Sequence, residues 1–141
     1  QQKDLFNKIK QKGHDVGNHS YSHLFGWKTS NKLYYNDIAK AQQIIGSKLF
    51  RPPYGKMSLL QYIKLRKEYK IILWNQMAED WNPNLDAIKK VNKMTEKASN
   101  GSIFLFHDNK KSEENLKQML PIILKYAQDH HIKWGLLKDY V

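Results

Sequence analysis

Apolar residues recur along this chain in two rhythms, and the change from one to the other predicts its elements. Leu5, Phe6 and Ile9 form a helical stripe that stops at Gly13, a residue suited to the left-handed backbone that closes a helix. His14 to Asn18 then reads as a strand. Ser30 is placed to cap a longer helix with Leu33, Tyr34, Ile38, Ala41, Ile44 and Ile45 on its stripe, again ended by a glycine, Gly46. Lys48 to Arg51 is a short strand stopped by two prolines. Ser58 opens a third helix with Leu59, Ile63 and Leu65 inward, and Lys70 to Asn75 reads as one continuous apolar strand of the kind buried on both faces. Asn84 caps a helix carrying Leu85, Ile88, Val91 and Met94 or Thr95. Ser102 to Phe106 is the clearest strand of the chain. The last helix begins near Ser112, with Glu113 and Glu114 where carboxylates suit the positive helix end, and Pro121 predicts a kink or break within it. A short strand over Ile132 to Leu137 closes the sequence.

Helix, then four strand and helix units, then a strand is the order of an α/β fold with a parallel sheet. At 141 residues the chain suits one domain, spanning 1–141, with no internal repeat or linker. No stretch approaches the roughly 20 apolar residues of a membrane-spanning helix. The opening residues Gln1 to Lys12 read as the middle of a helix rather than a signal peptide, so the natural amino terminus is expected further upstream. With no cysteine the redox compartment stays open, and localisation with it. The net charge of +11 sets up a field that attracts polyanions without choosing among them. Much of that charge, at Lys89, Lys90, Lys93 and Lys97, follows the outer face of a predicted helix and reads as a solvated surface. No nucleic-acid partner is expected.

Four polar clusters begin where strand-like runs stop: His19 to His23, Arg51 to Gly55, Glu79 to Trp81, and Phe106 to Asp108. In a parallel sheet the carboxyl ends of all strands lie on one rim, which predicts that these clusters meet around one crevice. His19 and His23 are four residues apart, a spacing that puts both rings on one side of a helical turn, either as metal ligands or as a hydrogen-bonded surface pair. Asn18, Ser20 and Ser22 are suited to hold those rings by hydrogen bonds. Arg51 ahead of Pro52 and Pro53 reads either as part of a tight connection or as a guanidinium that orients a buried carboxylate. Trp81 is either core or a flat face for a sugar ring. His107 leaves the sheet at its rim, where an imidazole is either structural or suited to proton transfer.

In this order the segments resemble the polysaccharide deacetylase family, also called the NodB-homology domain or carbohydrate esterase family 4. GHDVGNHSYSH is similar to its metal-binding motif, RPPYG to its arginine-proline-tyrosine motif, EDW to the end of its acidic-tryptophan motif, and GSIFLFHD to its leucine-x-histidine motif. The resemblance implies a distorted, parallel-stranded (β/α) barrel, incomplete here at its amino end, and the removal of acetyl groups from N-acetylated sugars in chitin-like polymers or peptidoglycan. It implies that His19 and His23 are two of three protein ligands to a divalent metal, commonly zinc, and that Arg51, helped by Asp80, holds the base in place. Tyr54 would offer its backbone N–H to the oxyanion, Leu105 would line the acetyl pocket, Trp81 would form groove wall, and His107 would be the general acid. The family prior places such proteins at the cell envelope or outside the cell.

Two departures stand out. Nothing matches the family's first motif, which carries the base and the remaining metal ligand. At a rise of about 3.3 Å per residue, Asp15 lies too far back along its strand to replace that ligand. Met77 stands where many relatives carry the first aspartate of the acidic motif. The expectation is a chain that binds metal weakly and has little activity by itself. The alternatives are a hydrolase of small non-carbohydrate amides and a non-catalytic glycan-binding module.

Overall fold

The computed structural model describes residues 3–141, so the predicted helical start at Gln1 and Gln2 lies outside the described residues. The elements run α1 (Lys3–Gln11), α2 (Asn31–Ile45), β1 (Leu49–Phe50), α3 (Leu59–Leu65), β2 (Lys70–Ile71), β3 (Gln76–Met77), α4 (Ala87–Glu96), β4 (Phe104–Leu105) and α5 (Glu113–Asp129). They fall into two compact units, one of residues 1–73 with 135–141 and the other of 74–134. The first holds the parallel pair β1–β2, with Leu49 beside Lys70 and Phe50 beside Ile71. The second holds the parallel pair β3–β4, with Gln76 beside Phe104 and Met77 beside Leu105.

In the first unit, α1 buries none of its residues, so its predicted stripe is a surface stripe. It closes as expected at Gly13, whose φ of 82° is the left-handed value and whose N–H bonds back to Lys10 O. The predicted strand over His14 to Asn18 is reduced to one parallel bridge, Asn18 to Phe50, because only Asn18 N–H reaches Leu49 O and only Asn18 O accepts from Arg51. Helix α2 starts after Ser30 without a bond from its hydroxyl and ends on left-handed Gly46. Its inward face is Tyr34, Asp37, Ile38 and Ala41, while Leu33 and Ile44 lie off that face and are exposed. Helix α3 opens on a capping box in which Ser58 accepts from Gln61 N–H and the Gln61 carboxamide accepts from Ser58 N–H. The expected inward set is wrong for two of three residues. Gln61 and Leu65 are buried, whereas Leu59 and Ile63 sit roughly opposite on the helix and face solvent. The core of this unit gathers Tyr34, Ile38, Phe50, Leu65 and Tyr69.

The predicted single strand over Lys70 to Asn75 is divided. Ile72 N–H bonds to Phe50 O in the first unit, Asn75 and Gln76 N–H bond to Ile103 O in the second, and Leu73 between them is exposed. It is therefore not a strand buried on both faces. In the second unit α4 is capped by Asp86, which accepts from Lys89 N–H, rather than by Asn84. Val91, Met94 and Thr95 are buried as expected, and Ile88 is exposed. Helix α5 runs through Pro121 without a break and carries Glu113 and Glu114 in its first turn. Ala78, Ala87, Val91, Met94, Met119 and Ile123 form the core here. The expected closing strand over Ile132 to Leu137 is absent among the described residues; a 3₁₀ turn, Leu137–Asp139, stands at its end. None of the helices described is long and apolar enough to cross a membrane.

Candidate functional site

Each polar cluster follows the carboxyl end of a strand or of the Asn18 bridge, as a parallel arrangement requires. In the first unit the segment from His19 to His23 is a looped connection rather than a helical turn, but it brings the rings together all the same. The centroids of His19 and His23 are 4.9 Å apart and edge to face, and His23 meets Tyr54 at 4.8 Å. His19 Nδ1 lies 2.7 Å from Arg51 O. A carbonyl only accepts, so Nδ1 is the protonated nitrogen and the lone pair of the ring is on Nε2.

The loop is held from beneath by two residues of buried character. Asn18, fully buried, donates to Ile38 O and Gln42 Oε1 and accepts from Ser20 N–H at 2.9 Å. Asp37 on α2 accepts from Tyr21 N–H at 2.9 Å and Ser22 N–H at 3.0 Å. Burial raises the Asp37 carboxyl, but hydrogen bonds from Ser22 and Tyr21 outweigh it and hold the group below its ordinary range. Asn18 thus supports the histidines through the backbone, not by touching the rings as expected. Asp37 was not singled out by sequence; the one available signal is its place between Tyr34 and Ile38 on the apolar stripe, where a carboxylate requires partners.

Arg51 leaves β1 half-buried and donates from Nε to Ile72 O at 3.3 Å and from Nη2 to Leu73 O at 3.5 Å. Burial lowers its pKa from the ordinary guanidinium value. Tyr54 follows within a 3₁₀ turn at Pro53–Gly55, with φ at 59°, and is 59% exposed. Gly55 and Lys56 N–H bond to Pro52 and Pro53 carbonyls, whereas Tyr54 N–H finds no acceptor among the described residues. Asp15 is engaged elsewhere. Its carboxylate pairs with Lys138 Nζ at 3.3 Å and accepts from Lys138 N–H at 3.2 Å. Among the described residues no group of three His, Asp, Glu or Cys side chains is placed to hold a metal, so His19 and His23 stand as a pair.

In the second unit Asp80 is fully buried, and its two oxygens take two groups of one residue. Oδ2 accepts His107 N–H at 2.7 Å and Oδ1 lies 2.8 Å from His107 Nδ1. The carboxylate assigns the proton to Nδ1, which leaves the lone pair of the ring on Nε2. Trp81 is 41% exposed and meets the His107 ring edge to face at 4.9 Å, so it is not core. Asn115 on α5 donates to Asp80 O and Asn82 O, both at 2.9 Å, and fixes the turn from which Asp80 projects. No sequence pattern marks Asn115. Leu105 on β4 is buried, two residues before His107. Met77 pairs with it across the sheet.

Backbone strain is concentrated at these clusters. Among the described residues five other than glycine have positive φ, and four of them are Ser20 at 63°, His23 at 54°, Tyr54 at 59° and Glu79 at 55°. Such positions cost about 1–3 kcal/mol each and persist where the surroundings fix them.

The profile of the family described as Polysaccharide deacetylase matches residues 1–71. The chain is 33% identical over 114 residues to the peptidoglycan-N-acetylglucosamine deacetylase of Bacillus cereus, covering 74% of this chain and 52% of that protein. It is 31% identical over 109 residues to the peptidoglycan-N-acetylmuramic acid deacetylase PdaC of Bacillus subtilis, covering 72% of this chain and 22% of that protein. Among solved structures it is similar to a family 4 carbohydrate esterase from Streptomyces lividans, described in complex with acetate. There the TM-score is 0.77 at 25% identity, over 90% of this chain and 67% of that one. The chain thus spans about half the length, or less, of these curated relatives. The matched structures are parallel-stranded (β/α)-barrel proteins, and each unit contributes a strand pair and helices of that fold, which bears out the expected fold class. From residues, geometry and kinship together, the chain belongs to the polysaccharide deacetylase family.

Proposed function

We propose that this protein hydrolyses the N-acetyl group of an amino-sugar polymer of the peptidoglycan or chitin type, and does so at the cell wall. The observation that carries the reading is the paired fixing of tautomers: a carbonyl holds His19 through Nδ1 and a buried carboxylate holds His107 through Nδ1. A ring fixed in this way presents Nε2, as a metal ligand or as a proton donor must. Two neighbouring imidazoles, His19 and His23, suit a divalent ion of borderline softness, zinc first among them. When bound, that ion would supply Lewis acidity and bring the pKa of water to about 7.

The chain's own residues supply the rest. Tyr54 N–H donates to the oxygen on which charge develops as the amide carbonyl is attacked. His107 donates from its doubly protonated form: Nδ1–H stays on Asp80, which keeps the ring from turning, and a proton taken up from solvent at Nε2 passes to the departing amine nitrogen. Arg51 anchors its guanidinium on the 72 and 73 carbonyls and so sets the end of β1 from which Tyr54 is presented. Trp81 packs against His107 and offers a flat wall to the sugar, and Leu105 lines the acetyl pocket.

With two histidines as the only candidate ligands among the described residues, metal affinity of the isolated chain is weak and turnover slow. The test is acetate release from N-acetylglucosamine oligomers and peptidoglycan fragments in zinc, beside a panel of small amides, for the wild type and His107→Ala. Slow release from the glycans that His107→Ala abolishes is expected. Preferential cleavage of the small amides, or equal rates in both proteins, overturns the reading. Submicromolar zinc affinity by calorimetry would refute the impairment.

A further inference from the structure

Trp27 is an exposed tryptophan that nothing in the proposed chemistry uses. The residue is 62% exposed, yet it is anything but loose. The indole Nε1–H donates to Met57 O at 2.7 Å, and Lys56 Nζ lies 5.3 Å from the ring centre. The 3₁₀ turn that carries it, Gly26–Lys28, is pinned by the fully used side chain of Gln61, which donates to Gly26 O at 2.9 Å and Thr29 O at 3.3 Å while its oxygen accepts from Ser58. The turn is seated so closely that a Cβ on Gly26 would lie 2.7 Å from Gln61 Oε1 and 3.0 Å from Lys56 O. Exposed indole with a satisfied N–H and a fixed orientation presents an apolar face that has already lost its rotamer freedom.

That face is continuous with the histidine pair. Trp27 meets Phe25 at 6.1 Å, Phe25 meets Tyr54 at 5.3 Å, Tyr54 meets His23 at 4.8 Å, and His23 meets His19 at 4.9 Å. Tyr54 is itself largely exposed. A run of rings that begins at the candidate metal ligands and ends on a rigid open indole suits a ligand with flat C–H faces repeated along its length and hydroxyls at its edges. A pyranose chain has that chemistry, and the lysine beside the indole is a donor for its hydroxyl or carboxylate oxygens.

Resting on the deacetylase reading, we propose that Trp27 is the stacking platform of a sugar subsite, which holds a neighbouring residue of the N-acetylated amino-sugar chain whose acetyl group is removed. The platform makes this protein prefer oligomers, since only a chain longer than one sugar reaches both ends of the ring series.

The test is titration of the full chain with the tetramer of N-acetylglucosamine, followed by calorimetry and by the indole N–H signals in nitrogen-15 NMR, for the wild type, Trp27→Ala and Trp27→Phe. Expected is a shift of the Trp27 indole signal on binding, affinity weaker by about tenfold or more in Trp27→Ala, and recovery to within about threefold in Trp27→Phe, which keeps a ring but not the bond to Met57. Equal affinity in the wild type and Trp27→Ala overturns the subsite and leaves the deacetylase reading standing. No binding by the wild type overturns the subsite together with its substrate class.

Discussion

Replacing Asp80 by asparagine changes one atom of a fully buried side chain and asks whether the carboxylate sets the state of His107. In the wild type one oxygen accepts the backbone N–H of His107 at 2.7 Å and the other faces Nδ1 at 2.8 Å. A carboxamide satisfies one of these through its oxygen and turns an NH₂ toward the other. If the oxygen stays on the backbone N–H, the NH₂ confronts Nδ1–H, and the ring relieves the clash by moving its proton to Nε2. Charge-assisted bonds of this kind contribute about 1.5–3 kcal/mol each. One is exchanged for a neutral bond and one is inverted, so a loss of about 2–3 kcal/mol is expected. For a chain of 141 residues that is a fall in Tm of roughly 6–12 °C. The assay is nitrogen-15 NMR of the imidazole, in which the two nitrogens exchange their protonated and unprotonated shifts, alongside thermal unfolding. Neither readout needs turnover. An unchanged tautomer in Asp80→Asn, with Tm within about 2 °C of wild type, would refute the argument that Asp80 governs this ring.

Asp37→Ala removes the acceptor of Tyr21 and Ser22 N–H, and because that loop is open to water the cost is about 1–2 kcal/mol, with zinc affinity lower by about tenfold or more as His19 and His23 lose their fixed spacing. Since the Asp37 carboxyl is held below its ordinary 3.8, its contribution is present above that pH and disappears as pH falls through its folded value. Chemical denaturation curves of wild type and Asp37→Ala are therefore separated at neutral pH and draw together in acid. Tyr34 is fully buried with a hydroxyl that has no partner among the described residues, so Tyr34→Phe is expected to raise stability by about 1 kcal/mol in urea unfolding. Burial, and then the nearby Asp37, push the Tyr34 pKa up to about 12 from 10.0. Its neutral form is thus favoured in the fold, a contribution present below pH 10.0 and lost as pH rises through about 12, and the alkaline decline in stability is shallower in Tyr34→Phe.

Helices and chemistry were legible in the sequence to different depths. The stops at Gly13 and Gly46 and the box at Ser58 are local signals, and each element ends or begins where they say. Which face turns inward was less legible, because α3 packs through Gln61, whose carboxamide is needed for the turn at Gly26, while the more apolar Leu59 and Ile63 are left in solvent. Strand length misled for a different reason. Ile71 to Trp74 is uniformly apolar, but the hydrogen bonds of the run change partner after Ile72, and composition carries no trace of that change. Among the candidate residues, the histidines, Arg51, Tyr54, Asp80 and Trp81 announce themselves by residue type. Their supports, Asp37 and Asn115, act by gripping backbone at a distance of many residues, which a reading of neighbours along the chain does not reach.

The left-handed residues at 20, 23, 54 and 79 set a trap for anyone breeding this protein for heat tolerance. Glycine at any of them would relax the main chain, and a screen that rewards survival alone would harvest those changes early. The sturdiest descendants would then be the ones whose rings had been set adrift.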